Sequence, residues 1–290
     1  MQLAVNIVVL ASIYALISCG YVLIYRVSRV LSLAHGELML LGAYGLYTTA
    51  SLFAHSPLLA VAASIVLAAL IGLLVYVLLM RRMTGESVLA AVLVTIALGI
   101  LVRGLTVLIW STQEQHPLDM LGWRNPSLAI GASARVSGVG LAFVLITAAV
   151  YGGLYFFLRY THWGIRMRAA GQNPLLAAQR GINLHGVYAL AWALATFTGG
   201  IAGMLIACDN ALDQTMVTIG LKAFPAALVG GLDSLLGALA GSLIVAAAEV
   251  LLIYYIDPLL SEVVPFAVLI AMLIVRPWGL FGSREELDRV

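Results

Sequence analysis

The stretch RYTHWGIRMRAAGQNPLLAAQRGIN, Arg159 to Asn183, is a basic and polar interval in a chain that is otherwise almost continuously apolar. Its local signals define a short helix. Asn173 is a good N-cap, Pro174 suits the first helical position, and Gly181 suits the residue just past the end. The predicted helix, Pro174 to Arg180, is about two turns long, and helices under roughly 12 residues are marginal in water. It therefore needs a docking partner. Two readings are open. A short helix between two membrane spans can pass force from a soluble motor to a transport subunit, or it can be an ordinary connecting loop with incidental helicity.

Around this interval, hydrophobic residues make up 63% of the 290-residue chain, charged residues make up 10%, and mean hydropathy is +1.07. An ordinary globular domain has about a quarter of its residues charged, so this is the composition of a polytopic protein of the lipid bilayer. No segment is long or polar enough for a separate soluble domain, and residues 1–290 read as one domain. Lys222 is the single lysine, the net charge is +2, and no basic cluster interleaves with aromatics, so nothing supports binding to nucleic acid. Met1 to Gly20 lacks a basic leader, and its apolar run continues to Tyr25. That is too long for a signal-peptide core, and a retained first helix is expected. Cys19 and Cys208 fall toward opposite membrane faces, whereas a disulfide needs Cα atoms within about 7 Å. Both are expected to be packing residues.

A spanning helix needs about 20 mostly apolar residues. Candidates are Leu3–Tyr25, Gly36–Phe53, Leu58–Met80, Val88–Trp110, Gly138–Leu158, Gly186–Cys208, Met216–Gly231, Ser234–Ile256 and Val263–Val275. The predicted fold is an all-α membrane bundle of about 8–9 transmembrane helices with one short or broken segment. That segment is Met216–Gly231, which ends in two glycines. If every candidate crosses, Arg26, Arg29, Arg81, Arg82, Arg159, Arg166, Arg168, Arg180, Arg276, Arg284 and Arg289 share one face, with Arg124 and Arg135 on the other. The positive-inside rule makes the first face cytoplasmic, with the amino terminus outside and the carboxyl terminus inside. The pattern fails after Met216–Gly231 unless that segment crosses, so a short crossing is expected. Ser111–Ser137 is the largest outer loop and has too few periodic apolar positions for a domain. Gly199–Gly203 and Gly237–Gly241 carry small-xxx-small spacing suited to close helix approach.

The chain has no phosphate-cradling G-x-x-x-x-G-K-[ST] run, no metal-ligand spacing and no recognisable catalytic pairing. An enzyme is not expected, nor a metal or a cofactor. Ionisable residues within spans are costly and become functional candidates. Arg103, Lys222 and Glu249 each lie about 10 Å below the expected outer boundary. At least one cation is expected to pair with Glu249, as a layer that joins helices or lines a transport pathway. His35-Gly36-Glu37 opens the second span and is placed at the cytoplasmic side, where Glu37 suits a first helical turn. No carboxylate is expected near the bilayer midplane. Asp209 and Asp213, past the sixth span, are expected to be solvated.

Several blocks, in order along the chain, resemble the permease subunits of branched-chain amino acid ABC importers, the LivH type. They are Tyr14–Ile17 with Gly20-Tyr21, Leu33-Ala34-His35-Gly36-Glu37 with Leu41–Tyr44, and Gly164–Ala169 with Gly181-Ile182. Further along come Gly220–Phe224, Leu228–Gly231, Gly237-Ala238 and Pro277–Gly282. The sequence departs from the family at Ser32, often asparagine, and at Asp233, often glycine. The resemblance implies an ATP-driven importer in the bacterial inner membrane. Its parts are a second, LivM-like permease subunit or a second copy of this one, two ATPase subunits that bind the ATP, and an extracytoplasmic binding protein. Residues 159–185 then form the coupling loop, with Arg166, Arg168, Asn173, Pro174, Ala177, Ala178, Arg180 and Gly181 meeting the ATPase. The implied substrate is a branched-chain or other neutral or hydrophobic amino acid; relatives carry urea or short amides. A self-sufficient ion-coupled transporter is the alternative from another class. It would place a midplane site at paired broken helices, and only one segment here is obviously short.

Overall fold

A computed structural model describes residues 1–130 and 134–282. Without water in a bilayer core, backbone polar groups must be satisfied inside their own segment, so the apolar runs close into helices. These are α1 (Gln2–Ser28), α2 (His35–Leu52), α3 (Pro57–Leu78), α4 (Val88–Trp110), the single turn α5 (Pro117–Met120) and α6 (Gly138–Tyr160). They continue with α7 (His162–Gln172), α8 (Pro174–Gln179), α9 (Leu184–Asp209), α10 (Met216–Gly230), α11 (Leu235–Tyr255) and α12 (Val264–Val275). Among the described residues, α1, α3, α4, α6, α9 and α11 are long and apolar enough to cross a membrane, and α10 and α12 are shorter apolar helices. The protein is an all-α, multi-pass membrane bundle.

Helices α1, α2 and α9 form the centre, where Tyr14, Leu16, Ile17, Tyr44 and Trp192 are fully buried. Small residues set the close approaches there, because lipid gives helices no hydrophobic reason to associate and packing must do so. Gly200 of α9 lies against Gly42 of α2 and Ala68 of α3, while Gly237 and Gly241 of α11 lie against the end of α10. Leu70, Leu74, Ile100, Leu101 and Leu108 on α3 and α4 point outward.

One end of the bundle gathers α7, α8 and most arginines. There Arg29 Nη1 lies 2.7 Å from Asp233 Oδ1, and Tyr76 Oη lies 3.0 Å from His185 Nδ1. The opposite end carries a hairpin, β1 (Ser127–Ile130) antiparallel to β2 (Ala134–Ser137), which the reading of Ser111–Ser137 as a plain loop did not include. Asp209 is not simply solvated. Its Oδ1 accepts from Asn125 Nδ2 at 3.1 Å and Ser137 Oγ at 2.9 Å, tying the hairpin to α9. Asp213 instead caps the start of α10 through Thr215 N and Met216 N. Cys19 and Cys208 are both free thiols. Arg284 and Arg289, used to place the carboxyl terminus, lie outside the described residues.

Candidate functional site

The link between α1 and α2 is where the structure departs most from the sequence reading. Arg29 ends α1 in the left-handed conformation at φ 56°, and the chain then turns back into the bundle. Leu33 N donates to Thr95 Oγ1 at 3.1 Å, fastening the non-helical link to the wall of α4. Helix α2 therefore begins deep inside. Glu37 rests on Gly99, where a methyl group would lie 3.2 Å from its carboxylate. Gly99 is midway between Val88 and Trp110, about 16 Å from each end of α4. The expectation that His35-Gly36-Glu37 opens at the cytoplasmic mouth is corrected, and so is the expectation of no carboxylate near the midplane. The physical reason is Thr95, whose hydroxyl gives the half-buried Leu33 N–H a partner and lets the link re-enter.

Successive helical residues project about 100° apart, so these three meet three different neighbours. His35 is fully buried in a slot made by Gly20 of α1 and Gly199 of α9, with the Tyr21 ring centroid 4.7 Å away. Gly36 faces α10, where a methyl group would sit 3.1 Å from the Val217 carbonyl oxygen. Glu37 faces α4. Among the described residues, neither His35 ring nitrogen nor Ser32 Oγ has a hydrogen-bond partner at normal geometry, and the Ile17 carbonyl is the polar group nearest to bonding the imidazole. Helix α10 also starts at this level, since Val217 in its first turn meets Gly36. Above it, Leu212 pairs with Gln115 at the hairpin end. Below the link lies a cleft lined by Val30, Tyr76, Met80, Val88, Tyr188 and Trp192.

Of the three intramembrane charges, the fold joins two. Lys222 Nζ lies 3.3 Å from Glu249 Oε1, and Tyr14 Oη donates to Glu249 Oε2 at 2.6 Å. Arg103 is not part of this pair. It is exposed on α4 one turn beyond Gly99, on the side that faces Glu37, and it acts electrostatically on that carboxylate. One further turn along, Thr106 Oγ1 and Tyr44 Oη contact Gln214 at 3.3 Å and 3.0 Å, and Trp110 Nε1 donates to Thr48 Oγ1 at 2.9 Å. A polar strip thus runs along the α2/α4 seam from mid-depth to the hairpin end.

At the other end, Asn173 Oδ1 accepts from Leu176 N at 3.0 Å, Pro174 takes the first helical position, and Gly181 adopts φ 79°. Helix α8 forms as its signals specify. Ala178, Arg180 and Leu175 are exposed, Leu175 at 70%, while Ala177 is only 5% exposed. Ala177 is thus an anchor of α8 on the body and not an outward contact, which corrects its assignment to a partner surface. Arg166 is exposed and stacks on Trp163, with its Cζ 5.3 Å from the ring centroid; Arg168 is half-buried and turned toward Arg26.

A sequence profile described as "Branched-chain amino acid transport system / permease component" matches residues 3–273. The chain belongs to this family. It is 29% identical over 304 residues to the high-affinity branched-chain amino acid transport system permease protein LivH of Escherichia coli K12, covering 100% of this chain and 97% of that one. It is 27% identical over 305 residues to BraD, the corresponding permease protein of Pseudomonas aeruginosa, covering 100% and 98%. Over 137 residues, 46% of this chain and 43% of the other, it is 31% identical to the guanosine ABC transporter permease protein NupQ of Bacillus subtilis.

For a branched-chain amino acid permease component, the residues missing from the sequence reading are those that hold the break and the surface in place. Thr95 left a signal as a threonine within an apolar helix, and so did Tyr14 as a polar atom within α1. Leu175 and Leu176 were legible too, as apolar residues at the two positions behind Pro174.

Proposed function

We propose that this chain is the transmembrane permease subunit of an ATP-driven importer for branched-chain or other neutral or hydrophobic amino acids. The observation that carries this reading is α8, a capped two-turn helix at the arginine-rich end whose Leu175 and Leu176 are left exposed by the described residues. Such a face suits a socket on each ATPase subunit, where nucleotide-driven closure pushes on α8 and, through Ala177, on α9. Arg166, Arg180 and Ala178 flank the contact, and residues 159–185 act as the coupling loop. The arginine-rich end is then cytoplasmic and the amino terminus lies outside the inner membrane. A binding protein delivers substrate at the hairpin end.

The conduit runs along the α2/α4 seam. A half-buried carboxylate and an exposed guanidinium near mid-depth are too costly to face lipid, so this face abuts the second, LivM-like permease subunit or a second copy, with a wet path between them. Glu37 and Arg103 line it, His35 and Gly36 fix the break, and Lys222 with Glu249 forms a structural charge layer behind it. Coexpression with an ATPase pair and a binding protein tests the reading. Leucine-stimulated ATP hydrolysis that disappears in Leu175→Asp/Leu176→Asp supports it, while a response to urea or guanosine in place of leucine reassigns the substrate. Glu37 at mid-depth favours one competing reading, an ion-coupled carrier; uptake by this chain alone into ATP-free vesicles with an imposed ion gradient decides for it.

A further inference from the structure

Three arginines converge on a cleft at the α8 end, turned away from the exposed leucines of α8. Arg26 near the end of α1, Arg159 at the end of α6 and Arg168 on α7 line it together with Asp233, Tyr155 and the first residues of α11. Among the described residues Asp233 is the one carboxylate in the lining, and Arg29 engages it at 2.7 Å. Arg26 and Arg168 are half-buried and repel one another, a repulsion at Arg26 that Asp233 offsets in part, and neither forms a hydrogen bond or ion pair among the described residues. The Arg159 guanidinium is held at the rim by the Tyr155 hydroxyl and stacks on the Tyr155 and Tyr160 rings. Half-buried, facing cations are unfavourable until an anion bridges them. The start of α11 adds to the demand. Ser234 Oγ accepts from Gly237 N at 3.0 Å, which leaves the N–H groups of Leu235 and Leu236 uncapped at the cleft.

We propose that this cleft binds a phosphate group carried by an anionic glycerophospholipid of the adjoining leaflet. The lip identifies the carrier. Leu236 and Phe156 are 61% and 63% exposed on the two spans that flank the cleft, so acyl chains leaving a headgroup seated there have exposed apolar faces to run along. Arginine and tyrosine at span ends are the residue types that meet headgroups. A soluble phosphate gains nothing from the apolar lip.

Native mass spectrometry of the full-length permease in detergent tests this, with phosphatidylglycerol, phosphatidylcholine and inorganic phosphate as probes. The protein should retain phosphatidylglycerol in preference to phosphatidylcholine. Arg168→Gln should weaken that retention about fivefold, the effect of one basic residue at an anionic surface. Arg166→Gln should leave it unchanged, because Arg166 lies on Trp163 and outside the cleft lining. Arg159→Gln, at the exposed rim, should also weaken retention and serves if Arg168→Gln does not fold. Equal retention of the two lipids, or undiminished phosphatidylglycerol binding in the folded arginine variants, overturns the site. Displacement of the lipid by millimolar inorganic phosphate overturns the lipid as carrier.

Discussion

Glu249 shows how one residue can hold a membrane bundle together. It is 4% exposed and binds partners on two other helices, Lys222 of α10 and Tyr14 of α1. A buried ion pair repays its desolvation only when the geometry is good and the remaining lone pairs are satisfied; Tyr14 supplies the second condition. Removing one partner leaves the other charge uncompensated. Glu249→Gln should therefore lower stability by about 3 kcal/mol, read as a drop in the melting temperature of the detergent-solubilised protein. The double variant Glu249→Gln/Lys222→Met should recover most of that loss, since it removes the orphaned ammonium as well. A single variant as stable as the parent would show that the pair contributes nothing.

At the scale of elements, the decisive feature is a helix that starts in the middle of the bundle. The link from Arg29 to Ala34 stays inside because α4 offers it Thr95, and Thr95→Val keeps the shape while deleting the partner of Leu33 N–H. The cost should be about 1–2 kcal/mol. Amide exchange across residues 30–34 should quicken while that of α4 stays slow; unchanged exchange there would remove Thr95 from its role. This element also marks where the sequence could be read and where it could not. The bounds of α2 and α8 were legible from local signals, because caps, prolines and apolar length act within a few residues. The depth of α2 was not, because it depends on which residues of α1, α4, α9 and α10 accept the HGE side chains, and periodicity carries no such long-range register. The same gap hid the burial of Ala177. That a cation within the spans pairs with Glu249 could be anticipated from charge alone, whereas the start of α10 at mid-depth and the outward placement of Arg103 could not, since sequence position says nothing about which way a helix face turns.

For the whole molecule, the lateral surface divides into faces that suit lipid and one seam that does not. Leu101, Leu105 and Leu108 of α4 are exposed and apolar, while Arg103 between them turns toward Glu37 and the polar strip of Tyr44, Thr48, Thr106 and Gln214. If that seam borders a wet path beside a second permease subunit, water reaches it and a lipid-facing neighbour stays dry. In an assembled importer whose Cys19 and Cys208 are replaced by alanine, Arg103→Cys should react with a membrane-impermeant thiol reagent at least about tenfold faster than Leu105→Cys, because a thiolate forms readily in water and not in hydrocarbon. Transported leucine should slow the reaction at position 103 and leave position 105 unaffected. Glu37→Gln in the same assembly should reduce uptake without lowering the amount of assembled complex, separating a conduit residue from a packing residue. Equal reactivity at 103 and 105 would place the seam against lipid or dry protein and move the conduit elsewhere, with the cleft beneath the α1–α2 link as the next surface to probe.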